Sequence, residues 1–509
     1  MEISKNIELN IENIKNSYGC SEDFVSRIIK IKNKKITYIF LQSVSSDDKI
    51  SDFLVHSISE IIKENNRNIF NSLFKNIENN LYNSNISIVD DYNEVLYRLS
   101  SGFTCIFVDG TNKAITVETK TKLDRGITES SSETILRGPK DSFTENHEIN
   151  IGLIRKRIKD EKLWFKDVKI GRRTKTKVTI SYIKDIANTS NVKKIENDLK
   201  KIDIDGILDS GYIREFLNKK NKNAFPQMIS TERPDLVCGA LLDGKIIILV
   251  ENSPYALIIP GLLIDFLHTS EDYYQKSINV SLTRMLRFFS FILTIITPGF
   301  YIAVTTWNQE VIPNELLISL SIQKSGVPFP TALELIMMIT IFEILREADT
   351  RIPNTTGASI SIVGALILGE AAVSAGIVSP IIIIVVAFTS ISGLLYTDVD
   401  FINGIRWWRF IFIIFSVLLG FIGLIIAILI FIVKLCSIEY LGVPYTVPTS
   451  PLYPKMLKDS FIRLSRIKQK NRAPYLTKNQ KRMGEYKWKN LYLSYLLSCF
   501  FVVVPITKN

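Results

Sequence analysis

The sequence predicts an α/β soluble region of two small modules, followed by an α-helical membrane domain with about four spans and one interfacial or re-entrant helix. Three compositional blocks support this prediction. Residues 1–284 are rich in Lys and Asn, residues 285–433 are apolar in long blocks, and residues 434–509 are basic again. Charge that partitions with position in this way is typical of a membrane protein with large cytosolic parts.

The first ninety residues lack the features of a secretory leader. Residues 1–90 are expected to form an Asn- and Lys-rich extension, with a helical pattern near residues 50–81. The opening MEISKNIELNIENIKN lacks a continuous apolar core and a small-residue cleavage site. The soluble region is therefore expected to stay on the cytosolic side, with the first spanning helix as an internal anchor.

Two α/β modules are predicted at residues 91–195 and 196–284. Asp-Gly between apolar runs favours a hairpin, because the tight turn needs positive φ. This dipeptide occurs in GFTCIFVDGTNKAITVET (102–119) and in CGALLDGKIIILVEN (238–252), and NSP at 252–254 offers a second turn. The likeness of the two segments is compatible with a true repeat or with a common local solution.

The stretch TERPD at residues 231–235 is compact and charged. Pro234 favours an extended or turn conformation at Arg233. Solvated caps and surface salt bridges are the ordinary explanation of such clusters, and ligand binding is the alternative. We expect the soluble modules to make contacts between subunits, with Arg233 and Asp235 as the candidate assembly contacts.

Several classes of function are disfavoured by the residues themselves. The soluble region contains no nucleophile elbow, P-loop, dinucleotide fingerprint or metal-protease motif. The five cysteines and three histidines are scattered without metal-ligand spacing. The net charge of +11 shows no interleaved aromatic pattern, which disfavours nucleic-acid binding. The sequence therefore predicts no enzyme, no cofactor and no metal site.

Four full spans are predicted, at residues 288–307, 358–376, 378–395 and 410–433. The tail from Lys434 to Lys489 holds thirteen Lys or Arg against three acidic residues, so the positive-inside rule places it on the cytosolic side. With the soluble region on that side too, the number of spans is even. Five or six membrane segments remain alternatives.

Residues 331–347 form a predicted helix with carboxylates on both sides, which disfavours a single span facing lipid. This helix is expected to lie at the interface, or to be re-entrant and covered by protein. The charges at its end are candidate gating or interface groups: Glu343, Arg346, Glu347, Asp349 and Arg351.

Glu370 stands well inside the predicted span 358–376, among small residues that let helices approach closely. A carboxylate at the bilayer centre costs roughly 2.5–3.5 kcal/mol on the insertion scale, so it should face protein or water. Two explanations stay open: a buried partner at a helix interface, and a position that lines a cation path. The candidate ion-path residues are Glu370, Gly364, Gly369 and Ala365.

Six ordered segments resemble the A subunit of the GerA family of spore germinant receptors. They are RGPKDSFTENHEINIGLIRKRIKDEKLW (137–164), IGRRTKTKVTISYIKDIAN (170–188), KKIDIDGILDSGYI (200–213), FPQMISTERPDLV (225–237), SPYALIIPGLLIDFLHTSEDYY (253–274) and PFPTALELIMMITIFEILREADTRIP (328–353). The resemblance covers roughly residues 95–470. Residues 1–90 and about 490–509 show no such pattern.

The resemblance implies a multi-pass protein of the inner membrane of a bacterial endospore, with its soluble region on the core side. It implies two partners, a transporter-like B subunit that binds the nutrient and a lipoprotein C subunit. It further implies that the A subunit oligomerises into a nutrient-gated cation channel. An accessory A-like spore membrane protein outside the receptor operons is one alternative. A secondary transporter component is another, although the spans are few and no inverted repeat is visible.

Overall fold

The computed structural model shows two β-sheets followed by a bundle of helices. The described residues are 3–19, 21–31, 34–56, 58, 74, 77, 85–121, 133, 135–218, 223–349 and 369–482. The candidate residues Arg351, Gly364 and Ala365 lie outside them, as do residues 490–509 and most of the predicted helix 50–81.

The first sheet is antiparallel and is accompanied by two helices, α1 (Ile7–Ser17) and α2 (Tyr92–Ser100). Its strands are β1 (Phe24–Ile31), β2 (Lys34–Leu41), β3 (Ile86–Val89), β4 (Phe103–Val108) and β5 (Ala114–Glu118). They lie in the order β1-β2-β4-β5-β3. Ile36, Ile39 and Leu41 of β2 are fully buried, so the sheet contributes directly to the core.

Residues 1–90 are not a separate extension, which corrects the expectation from composition. They supply α1 and three of the five strands, and short helical segments at Asp47–Lys49 and Ile50–Val55 follow β2. Asn and Lys dominate the composition there. The strand signal lies instead in the β-branched and aromatic residues of FVSRIIKI and KKITYIFL, which pair residue by residue.

The second sheet repeats the topology of the first. Its helices are α3 (His147–Arg157), α4 (Thr189–Lys200), α5 (Ser210–Asn218) and α6 (Pro234–Asp243). Its strands are β6 (Leu163–Ile170), β7 (Thr176–Ile183), β8 (Ile229–Thr231), β9 (Ile246–Val250) and β10 (Ala256–Ile259). The order β6-β7-β9-β10-β8 matches the first sheet strand for strand. The expected boundary at residue 195 would divide this sheet, so it does not separate two modules here.

One of the two predicted Asp-Gly hairpins is present. β4 and β5 pair around Asp109-Gly110, where Gly110 has a φ of 83°. The hairpin predicted at Asp243-Gly244 is wrong, because Gly244 ends helix α6 with a φ of 95°. A positive-φ glycine serves a helix C-terminus as well as a tight turn, and a proline at the first helical position favours the helix. The second hairpin is β9–β10, around residues 252–254.

A buried ion pair joins the two modules. The Arg155 guanidinium on α3 donates to both carboxylate oxygens of Asp23, at 2.6 and 2.8 Å. Ser21 and Ser43 donate to the same carboxylate, at 2.8 and 2.7 Å. Burial alone would raise the pKa of Asp23, but Arg155 and these hydroxyls hold it below its usual value. Each module thus supplies one half of a charge pair that neither could bury alone.

The apolar region contains helices of unequal length. They are α7 (Ser277–Ile302, continued as a π-helix to Trp307), α8 (Asn314–Lys324), α9 (Thr331–Asp349), α10 (Pro380–Gly393) and α11 (Val399–Ser437). Within the described residues, two helices are long and apolar enough to cross a membrane, Ser277–Trp307 and Val399–Ser437. The first contains the predicted span 288–307. The arrangement of four spans is not confirmed.

Helix α11 turns back on itself at Gly420, in the middle of the span predicted at residues 410–433, so this segment is not one straight helix. Gly420 has φ 59° and ψ −133°, a conformation that glycine adopts far more readily than other residues. The rings of Trp408 and Phe431 are 4.9 Å apart, whereas a straight helix would separate these positions by roughly 35 Å. The two halves of α11 therefore run antiparallel, and their turn lies against Trp307.

Helices α9 and α10 pack against each other inside the bundle. Glu334, in the first turn of α9, is fully buried, and its carboxylate accepts a hydrogen bond from the Ser379 backbone N–H at 2.9 Å. α9 contains the predicted helix 331–347. α10 replaces the span predicted at residues 378–395; its 14 residues extend roughly 21 Å, less than the hydrocarbon thickness of a bilayer.

The basic tail folds back over the second module. It begins with a short ribbon, β11 (Glu439–Tyr440) with β12 (Val443–Pro444). Farther along, the Arg472 Nε donates to the Leu242 carbonyl at 2.6 Å, and the Thr477 hydroxyl donates to the Ile186 carbonyl. The described tail and the second sheet therefore lie at the same end of the helical bundle.

Candidate functional site

The TERPD stretch lies where the second sheet meets the helical bundle. The side chains of Arg233 and Asp235 are both buried and form an ion pair at 2.8 Å. The Arg233 guanidinium also donates to the Pro139 carbonyl at 3.0 Å, and the Tyr274 hydroxyl donates to Asp235 at 2.7 Å. The two candidate assembly residues thus tie together three segments of their own chain. Their role in assembly stays a prediction. In that role, they would support contacts between subunits by holding these three segments in place.

A second cluster joins the soluble region, the first long helix and the tail. Asp272 accepts from Arg284 Nε at 2.9 Å and from Arg287 at 3.0 Å. The Arg284 guanidinium also contacts the Asp459 carboxylate at 3.0 Å and its backbone carbonyl at 2.8 Å. Arg284 and Asp272 are almost fully buried. We call these four residues the junction cluster.

Burial alone would raise the pKa of Asp272, but its ion pairs with Arg287 and Arg284 hold it below its usual value. Asp272 is therefore ionised at neutral pH. The sequence shows Arg284 and Arg287 directly before an apolar block, yet it does not show their acidic partners. Asp459 lies 175 residues after Arg284, and a separation of that size leaves no local pattern.

The tail is fastened to the same end of helix α7 by further contacts. The Arg463 guanidinium donates to the Gln275 carbonyl at 2.6 Å, and the rings of Phe461 and Phe288 lie 4.6 Å apart. His268 Nε2 lies 2.8 Å from the Ser460 carbonyl, to which it donates in the matching tautomer. Burial lowers the pKa of His268 to about 3, so this imidazole is neutral.

A cavity of about 620 Å³ opens beside the TERPD stretch. Its walls come from the second module, the loop before α11 and the tail, and they include Glu133, Asp235, Tyr274 and Asp398. The Thr231 hydroxyl donates to Glu133 at 2.6 Å. Burial raises the pKa of Glu133 to about 7, so its carboxyl group titrates near neutral pH.

A third cluster centres on Glu343 inside the helical bundle. Its carboxylate contacts Arg409 at 2.5 Å, Arg406 at 2.9 Å and Arg346 at 3.6 Å. Arg409 is only 2% exposed. Two of the candidate charges, Glu343 and Arg346, therefore meet, and their main partners come from RWWR at residues 406–409. Arg406 and Arg409 are three positions apart and therefore share a helix face. This spacing was the feature of the sequence that could have identified them as partners of a buried carboxylate.

The remaining candidates are only partly described. Glu347 is exposed on the last turn of α9, and Asp349 ends that helix. Of the predicted span 358–376, residues 369–374 are described as helical. Glu370 is exposed there, and Gly369 lies near Ile383 of α10.

The three clusters bring charged groups together without forming a metal-binding arrangement. Within the described parts of the chain, no group of three or more His, Cys, Asp and Glu side chains could hold a metal ion. The junction cluster links the second module and the tail to α7, and the Glu343 cluster links α9 to α11. Both clusters therefore fasten helices of the apolar region to other parts of the chain by ion pairs.

The chain is similar to proteins of one family over nearly its whole length. A family model described as Bacillus/Clostridium GerA spore germination protein matches residues 12–475. Spore germination protein KA of Bacillus subtilis is 36% identical over 94% of this chain and 88% of its own length. Spore germination protein GerLA of Bacillus cereus is 30% identical over 94% of this chain and 96% of its own.

Among solved structures, the chain resembles the N-terminal domain of the A subunit of the Bacillus megaterium spore germinant receptor GerK3. The identity is 33%, with a TM-score of 0.40, over 52% of this chain and 98% of that domain.

Proposed function

The chain belongs to the GerA family of spore germination proteins, and on that premise we propose that it is the A subunit of a nutrient-responsive germinant receptor in the spore inner membrane. The likeness to the family carries this proposal, because it runs through the soluble modules, the helices and the tail alike. The partners we propose are a transporter-like B subunit and a lipoprotein C subunit. Deleting the gene should abolish germination with its nutrient while leaving nutrient-independent germination intact.

The proposed topology places the soluble modules and the tail on the core side of the membrane. The packing of the tail on the second module supports it, because two regions in contact share one side. Cysteines introduced at residues 150–200 and 455–480 should resist labelling from the outer face. Labelling of either region by an impermeant reagent would contradict this topology.

The proposed activity is conduction of monovalent cations through an oligomer of this chain. Glu370, with Gly369, Gly364 and Ala365, is the proposed ion path. The exposure of Glu370 in a single chain supports this proposal, since a water-filled axis between copies would solvate its carboxylate. A ring of carboxylates attracts cations electrostatically. The charges around Glu343 are the proposed gating or interface groups.

The test is potassium efflux from spores after nutrient addition, at matched protein levels. Glu370→Gln should reduce efflux, and Glu370→Lys should block it. Glu315→Lys on α8 is the matched control, because Glu315 is also an exposed carboxylate of the helical region. Normal efflux in the Glu370→Lys variant would show that Glu370 does not line the path.

The proposed assembly role of TERPD needs its own readout. Replacing Arg233 and Asp235 together by Ala should lower the amount of assembled complex, because both side chains are buried and hold neighbouring segments in place. The amount of this chain that co-purifies with the proposed B subunit measures the effect. Normal assembly with a strongly shifted nutrient dose response would favour ligand binding instead.

A further inference from the structure

A second, smaller cavity lies between the tail and the second module. Its volume is about 340 Å³, and it adjoins the larger cavity beside TERPD, with which it shares several lining residues. Six basic residues line it: Lys245, Lys455, Lys458, Lys468, Lys470 and Arg482. The proposed receptor function does not use this cavity, and the positive-inside rule explains basic charge on this side but not its concentration around one concavity.

Each acidic residue that lines this cavity already has an ion-pair partner. Asp265 pairs with Lys245 at 2.5 Å, Asp243 pairs with Arg482, and Asp459 belongs to the junction cluster. Within the described residues, the other four lysines have no ion pair. These four exposed lysines therefore line one cavity without an ion-pair partner of their own in the described part of the chain. A bound anion would reduce the electrostatic repulsion among them.

The cavity lies at the level where helix α7 leaves the soluble region. The wall residues 455–460 belong to the segment that the junction cluster fastens to α7. On the first turns of α7, Ile278, Leu282 and Leu286 are more than half exposed, and their spacing of four places them on one face. Ile462 of the tail is 53% exposed, and it precedes Arg463, whose backbone N–H donates to the Ser281 hydroxyl of α7 at 3.1 Å. Apolar and basic side chains thus occur together, as at a membrane interface.

We propose that this basic cavity binds the phosphate group of an anionic lipid headgroup. Lysine ammonium groups act as compact point charges for phosphate, and lysines near a membrane surface attract anionic lipids. The exposed apolar face of α7 would meet the acyl chains of the same leaflet. Free phosphate shares the headgroup chemistry, but it would not use that apolar face. The bound lipid would fasten the tail to the bilayer at the start of the first long helix.

The test uses the purified full chain in a nonionic detergent. Short-chain phosphatidylglycerol is titrated while thermal unfolding is followed, and native mass spectrometry counts the lipids that remain bound. Neutralising Lys455, Lys458 and Lys468 together by Gln should weaken phosphatidylglycerol binding by about 100-fold, on the basis of about fivefold for each lysine near the surface. The corresponding triple Arg variant should retain binding.

The control variant carries Lys193→Gln, Lys194→Gln and Lys478→Gln, since these exposed lysines do not line the cavity. The control variant should bind phosphatidylglycerol as tightly as the unchanged chain does. Both proteins should bind phosphatidylcholine more weakly than phosphatidylglycerol. Equal binding by the triple Gln variant and the control would overturn the site. Inorganic phosphate that stabilises the chain as strongly as phosphatidylglycerol at equal concentration would overturn the lipid as its occupant.

Discussion

Replacing Asp272 by Asn should loosen the junction between the soluble region, helix α7 and the tail. Asp272 is the shared acceptor of Arg284 and Arg287, with contacts between 2.9 and 3.0 Å. Asparagine keeps the size of the side chain but removes its charge. Arg287 then loses its carboxylate partner in the cluster, and Arg284 depends on Asp459 alone.

The expected loss of stability is about 3 kcal/mol. Breaking a buried ion pair by removing one partner typically costs about 3–5 kcal/mol, because a buried charge is left without compensation. The lower end applies here, since Arg284 keeps the Asp459 carboxylate at 3.0 Å and its carbonyl at 2.8 Å. For a cooperatively unfolding domain of about 200 residues, a loss of this size lowers the thermal unfolding midpoint by roughly 6–12 °C.

The effect should also depend on pH with a definite sign. The pKa of Asp272 is lower in the folded chain than in the unfolded chain. Its contribution is therefore complete above the unfolded pKa and disappears as the pH falls through the folded pKa. The difference in stability between the unchanged chain and the Asn variant should shrink on acidification below about pH 4.

Thermal unfolding of the full chain in detergent measures the effect, and limited trypsin digestion of the tail reports the loosened junction. Asp203→Asn is the control, because Asp203 forms an exposed ion pair with Arg172 and exposed pairs contribute little. If Asp272→Asn lowers the midpoint no more than Asp203→Asn does, the junction cluster is not a structural link.

Three further changes test other parts of the structure. Gly420→Ala should lower the amount of folded protein in membranes, since Gly420 has positive φ and an added Cβ would lie 2.7 Å from the Trp307 Cβ; wild-type yield would contradict the turn. Arg155→Met should cost about 3–5 kcal/mol in thermal unfolding by leaving Asp23 buried alone, and adding Asp23→Leu should restore much of the loss; an unchanged midpoint would show that the pair does not join the modules. Glu133→Gln should stabilise the chain by about 2 kcal/mol at pH 8. The pKa of Glu133 is raised in the folded chain, so the stability of the unchanged chain falls as the pH rises through about 7. Parallel profiles of stability against pH for both chains from pH 5 to 8 would refute this.

The soluble fold was predictable where local signals are unambiguous. The alternating residues around Asp109-Gly110 predict a hairpin, and the hairpin is present with the expected positive φ at Gly110. The same dipeptide at Asp243-Gly244 ends a helix, because Pro234 starts a helix ten residues earlier. The Asp-Gly dipeptide favours a positive φ at the glycine, but it does not determine whether a strand or a helix precedes it. In the sequence, the repeat of the two sheets shows only as a weak likeness between residues 102–119 and 238–252. The first of these segments forms a hairpin, whereas the second forms the end of a helix and a strand.

The helical region shows a different limit. Hydropathy marks residues 410–433 as one apolar block, yet a single glycine with positive φ reverses the chain in the middle of it. The block has uniform apolar character on both sides of Gly420, so no periodicity reveals the turn. The turn is evident from the contact between Phe412 and Phe431, whose rings lie 5.9 Å apart. Contacts between the two halves of one apolar block are tertiary contacts, which the sequence does not show.

In the Glu343 cluster, the sequence reveals the charged residues next to an apolar region but does not reveal their ion-pair partners. Residues 343–351 place acidic and basic side chains next to an apolar region, and each charge taken alone would be costly there. Sequence spacing offers Arg346 as the partner of Glu343, at three residues. The structure places that contact at 3.6 Å and gives the shorter ones to Arg409 and Arg406, which lie more than sixty residues away. A carboxylate shared by guanidinium groups of two helices binds α9 to α11 more strongly than a pair within one helix could, since separating the helices would leave Arg409 buried without its partner. The charges in this part of the chain therefore mark a contact between helices, which is where a movement of α9 relative to α11 would have to break ion pairs.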